Sequence, residues 1–153
     1  MMLDIKDGNG GKEHRSIKTR YRCFKSRWGI FIILTGTIVS RASYRDDDCI
    51  RIADGLWLVL PKSGFSKYAK EYIPFALSNI SDAIISASPY KYDTLIIFEE
   101  IGHNLFDFQE EGFVPATYQW VSEALKIETP EVKSSYNKHL DRYEFDFKGE
   151  KDT

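Results

Sequence analysis

The sequence is poor in cysteine, with only Cys23 and Cys49 among 153 residues. Two thiols cannot make a disulfide framework or a four-thiolate zinc site, and a 17.7 kDa chain buries enough core to need neither. Each therefore reads as a small buried or half-buried residue. Histidine is almost as scarce. His14, His103 and His139 stand apart, and no HExxH, CxxC or Walker phosphate loop accompanies them, so the usual marks of zinc hydrolases, thiol redox proteins and nucleotide enzymes are missing. A bilayer-spanning apolar run is missing too. The longest, Trp28 to Val39, has twelve residues where a spanning helix needs about 20. The cations ahead of it imitate an export signal, but they begin far from Met1, and Thr35-Gly36-Thr37 interrupts the run. It reads as a buried strand rather than a membrane or export segment, in a cytoplasmic protein without a membrane partner.

What the chain does have is a 42% hydrophobic and 14% aromatic composition, which can offset chain entropy in one folded domain. Residues 1–16 contain Asp7-Gly8-Asn9-Gly10-Gly11 and read as a flexible tail; residues 17–148 form the domain; residues 149–153 are a polar end. The formal charge of −2 hides a division. Residues 1–45 carry ten Lys/Arg against three Asp/Glu, about +7, whereas residues 92–153 carry six against fourteen, about −8.

Arg22 to Ser43 is β-branched and aromatic without a helical period, and predicts one bent strand or a tight pair, with Gly36 as a bulge or turn. Ile50, Ile52, Leu56, Leu58 and Leu60 share one parity around Asp54-Gly55, which predicts a strand or hairpin ending at Pro61. Ile73, Leu77, Ile80, Ile84 and Ala87 fall on one helical face, with Pro74 in the first turn and Pro89 beyond the end. Thr94 to Phe98 predicts a central strand running into Glu99-Glu100 and a break at Gly102. Val114, Tyr118, Val121 and Leu125 predict a second helix opening near Pro115. Tyr143, Phe145 and Phe147 alternate with charge as an amphipathic strand, while Glu131 to Leu140 fits either a loop or a short helix. The expected fold is α+β: a two-layer sandwich with an antiparallel or mixed sheet of about four to five strands and two main helices on one face.

Three constellations could carry function. His103, Asp107, Glu110 and Glu111 could hold a divalent ion or act as acid and base, but the hydrophobic residues between them suit an anchored loop as well, and we assign no catalytic residue, metal or cofactor. Lys18, Arg20, Arg22, Lys25 and Arg27 interleave with Tyr21, Phe24 and Trp28, the pairing of cations with stacking rings found on single-strand nucleic-acid surfaces. An edge strand guarded by cations explains the same residues, and a pI of 5.9 opposes a polyanion. The third is a loop between core elements that gathers Glu99, Glu100, Phe106, Asp107, Phe108, Glu110 and Glu111, and it suits a basic protein partner. Solvated carboxylates over rings that pin the loop are the plainer alternative.

Asp107-Phe108-Gln109-Glu110-Glu111-Gly112, followed by Ala116 and Trp120 on a helix, resembles a stretch of small bacterial immunity proteins that neutralise polymorphic or contact-dependent growth inhibition toxins. The similarity covers about twenty residues, with the pattern of Gly55 to Lys126 around it. It implies a cytoplasmic, non-enzymatic inhibitor that binds a cognate, basic toxin domain through acidic residues and takes no small-molecule substrate. Nucleic acid is a partner only if the basic segment 18–28 is the working surface.

Overall fold

Polar and apolar residues alternate from Ile17 onward, and in the computed structural model, which describes residues 16–104 and 108–147, this alternation becomes a pair of strands. β1 (Ile17–Phe24) and β2 (Gly29–Ser40) form an antiparallel hairpin turning through residues 25–28. Of the two expected forms the single strand with an irregularity at Gly36 is present, and a pair turning at Gly36 is not, since β2 runs unbroken from Gly29 to Ser40. Gly36 marks instead a shift of register, where β2 meets β5 (Thr94–His103) with Thr35 opposite Glu100 and Gly36 opposite Phe98. β3 (Ile50–Ala53) and β4 (Leu56–Val59) make the hairpin expected around Asp54-Gly55, with Gly55 at φ +89°, a conformation that favours glycine.

The five strands lie in the order β1-β2-β5-β4-β3. The parallel pair β4–β5 needs a crossover, supplied by α1 (Ala69–Asn79) and α2 (Ser81–Ala87). The predicted stripe Ile73, Leu77, Ile80 and Ile84 is buried along both helices, but the backbone breaks at Ile80 (φ −125°, ψ 22°), dividing one expected helix into two. Pro74 lies inside α1 rather than in its first turn. Helical bonding starts earlier, at the Ser66 carbonyl, which accepts the Ala69 N–H at 3.0 Å. α3 (Phe113–Leu125) packs on α1, β1 and β2, and Trp120, fully buried, meets Phe98 edge-on at 4.9 Å.

These helices cover one sheet face over Ile30, Ile32, Leu34, Leu56, Leu58, Ile96 and Phe98. On the other face a smaller cluster, Val39, Val59, Leu95 and Ile97, is covered by Tyr44, Cys49 and Trp57. The expected α+β architecture with a mixed sheet is therefore present. β5 runs past Glu99-Glu100 and Gly102 to His103, because β2 offers partners as far as Ile32. The ambiguous stretch before Leu140 contains β6 (Lys133–Asn137), which pairs with β7 (Arg142–Asp146) in a separate two-stranded sheet. Among the described residues no helix is long and apolar enough to cross a membrane.

Candidate functional site

The β6–β7 hairpin closes one end of the core, and its contacts create a cleft. Tyr143 is buried on β7; its hydroxyl donates to the Trp28 carbonyl at 2.6 Å and accepts the Lys25 N–H at 2.7 Å, which fixes the turn of the first hairpin. The Trp28 ring stands edge-on to Tyr143 at 5.0 Å and to Tyr136 at 6.2 Å, and its indole N–H donates to Asp141 at 3.0 Å. From the opposite side, buried Gln109 bonds the backbone of Tyr143 twice, through its amide N–H to the carbonyl at 2.6 Å and its amide oxygen to the N–H at 2.8 Å. One side chain here replaces a strand neighbour, and it holds the Phe108–Glu110 segment against β7.

Between these anchors lies a cleft of about 490 Å³ lined by Trp28, Phe108, Gln109, Glu110, Leu140, Asp141 and Arg142. Phe108 is half-buried, stacked on His103 at 3.9 Å and edge-on to Phe113 at 5.5 Å. Leu140, 63% exposed, sits at the rim on the β6–β7 turn, where the Asn137 side chain accepts the Leu140 N–H at 3.1 Å. Glu110 opens a 3-10 turn, Glu110–Gly112, and Arg142 donates to Glu111 at 2.8 Å. Close by, burial and then the Glu111, Glu71 and Glu110 carboxylates push the Tyr72 hydroxyl pKa up.

The structure divides the acidic residues singled out in the sequence. Glu110 and Phe108 line the cleft, and Glu111 is engaged by Arg142 behind it. Glu99 and Glu100 lie instead at the register shift of β5, where Glu99 accepts from the Ser16 hydroxyl at 2.8 Å. Glu100 accepts from the Thr35 hydroxyl at 2.8 Å and faces the Lys18 ammonium at 3.9 Å. Phe106 and Asp107 lie outside the described residues, as do most of the expected tail, residues 1–15, Lys148 at the expected end of the domain, and the polar end, residues 149–153. Among the described residues no three His, Cys, Asp or Glu side chains gather as metal ligands would.

The basic segment is divided as well. Lys18, Arg20 and Arg22 are exposed on β1 and pair with Thr35, Ile33 and Phe31 on the face away from the helices, while Lys25 and Arg27 are exposed in the turn. Tyr21 turns to the helix side, where burial, followed by Cys23, raises its pKa, and Trp28 belongs to the cleft. Sequence reasoning missed Leu140, Asp141 and Arg142 as cleft residues. The signal that bears on them is the aromatic strand at Tyr143, whose burial requires a partner surface. No protein-family model, curated protein or solved structure matches this chain.

Proposed function

We propose that the chain is a non-enzymatic binding protein of the immunity type, which takes a basic bacterial toxin domain in the cleft between Phe108–Glu110 and Leu140–Arg142. One observation carries this reading. An exposed leucine and the Glu110 and Asp141 carboxylates share a concave site whose aromatic walls, Trp28 and Phe108, are held by hydrogen bonds and ring contacts. An apolar anchor at the rim beside fixed side chains favours binding, because little side-chain freedom of the walls remains to be lost on association. Carboxylates around it steer a cationic partner. Phe108, Gln109 and Glu110, which belong to the stretch that resembles immunity proteins, line one wall of the same cleft. Glu99 and Glu100, on another part of the sheet, take no part in this contact.

The test is affinity capture of the full chain from its native bacterium, with mass spectrometry of the co-purifying proteins, repeated with Leu140→Asp and Glu110→Lys. A basic toxin domain captured by the native chain and lost from both variants is expected. Capture that survives both substitutions, or that yields no protein partner, would overturn the reading.

A further inference from the structure

The helix-free face of β1 and β2 has the other unusual chemistry in the molecule. Its rungs are Lys18 with Thr35, Arg20 with Ile33, Arg22 with Phe31 and Phe24 with Gly29. The three cations recur at every second residue, about 7 Å apart, because a strand rises about 3.4 Å per residue. Lys18 is matched by Glu100, but among the described residues no carboxylate pairs with Arg20, Arg22, Lys25 or Arg27. Four cations thus run along one strand and its turn without neutralisation from the described chain.

Two rings lie among them. Phe24 is 56% exposed and lies against Gly29; a Cβ at position 29 would come within 1.9 Å of its ring, so the glycine is what leaves room for the ring beside the strand. Phe31 is half-buried beneath the Arg22 guanidinium, 4.8 Å from the ring centroid. Farther across the sheet, Gly102 opposes Ile33 and leaves the floor low, with only the Ile33 Cβ, at 3.9 Å, near the place its own Cβ would occupy.

We propose that this face binds single-stranded nucleic acid, with Arg20, Arg22, Lys25 and Arg27 along the phosphates and Phe24 as a platform for a base. Arg20 and Arg22, about 7 Å apart on the strand, suit successive phosphates of an extended sugar–phosphate chain, Lys25 and Arg27 continue the positive charge into the turn, and every base offers a π-face to an exposed ring. A guanidinium already lying over a ring, as Arg22 does over Phe31, presents its own plane for a second base. A duplex hides its bases from such a ring, so the surface selects unpaired strands. The cleft proposed for a toxin uses other residues, so each assignment can fail without the other.

Fluorescence anisotropy of a labelled single-stranded oligonucleotide of roughly ten nucleotides, titrated with the full chain over a range of salt, tests this. Binding that weakens as salt rises is expected. Phe24→Ala lowers affinity roughly 5- to 100-fold while keeping the salt slope. Arg20→Ala with Arg22→Ala flattens the logarithmic salt slope by about 1.4, since each phosphate contact on a single strand contributes about 0.7. Leu140→Asp leaves binding unchanged. Circular dichroism confirms that the variants fold, as substitution of exposed side chains should allow. Three results would overturn the proposal: no binding at low salt, equal affinity in Phe24→Ala, or equal binding to a duplex of the same sequence or to phosphatidylserine vesicles.

Discussion

The side-chain amide of Gln109 and the backbone of Tyr143 form two hydrogen bonds, 2.6 and 2.8 Å long, across 34 residues of sequence. Both partners are buried, so the pair closes as a strand rung would while leaving the loop free to diverge on either side. With the Arg142–Glu111 ion pair and the Phe108 ring contacts, this side chain holds the cleft wall.

Gln109→Ala strands the buried N–H and carbonyl of Tyr143, and each unsatisfied group costs about 1–3 kcal/mol. A loss of about 2–5 kcal/mol is expected in chemical denaturation, with the midpoint falling and the slope retained. A loss below about 0.5 kcal/mol would mean that solvent replaces the amide.

Tyr143→Phe keeps the ring contacts with Trp28 and Tyr136 but removes the hydroxyl that joins the Lys25 N–H to the Trp28 carbonyl. The expected cost is about 1–3 kcal/mol. Hydrogen exchange should locate it, with faster exchange at Lys25 and little change in β4.

Two glycines of the sheet should respond unequally to alanine. At Gly36 a Cβ would come within 2.6 Å of the Ile97 carbonyl oxygen and 2.7 Å of the Phe98 ring, so backbone must move, at about 1–3 kcal/mol. At Gly102 only the Ile33 Cβ is near, at 3.9 Å, and Gly102→Ala should stay within about 0.5 kcal/mol of the native chain. Thermal unfolding of the two variants side by side makes the comparison.

Alkaline pH should weaken the fold in a defined window. Burial, and then a hydrogen bond to Asp48, push the Tyr44 hydroxyl from the ordinary 10.0 up to about 12. The folded chain favours the neutral phenol, so this stability is full below about pH 10 and is lost as pH rises toward about 12. Tyr44→Phe should remove part of that loss, as followed by circular dichroism during titration.

Much of the sheet can be read in the sequence, because its signals are local. Asp54-Gly55 between alternating isoleucines and alternating leucines encodes the β3–β4 hairpin, and the Ile73 to Ile84 stripe encodes the helical layer. The break at Ile80 interrupts bonding while preserving the buried stripe, so no periodicity betrays it. β6 has no apolar alternation in Lys-Ser-Ser-Tyr-Asn; its strand form comes from pairing with β7, a tertiary cause. The candidate site divides along the same line. Phe108 and Glu110 stand in a loop whose composition draws attention, whereas Trp28 and Leu140 arrive from positions 80 residues before Phe108 and 32 after it, joined only by folding.

The hydroxyl of Tyr143 joins one of the last strands of the chain to one of its first turns, 118 residues away at Lys25. During synthesis the β1–β2 hairpin emerges early, with its turn amide, its turn carbonyl and the Trp28 indole waiting for groups still to be translated. Contacts of such sequence separation are made late, since the intervening chain must first be ordered. A ribosome stalled before position 142 would therefore carry a sheet with one open end, a species for chaperones to hold. Docking of β6–β7 is what completes the surroundings of the Trp28 indole and of the first turn.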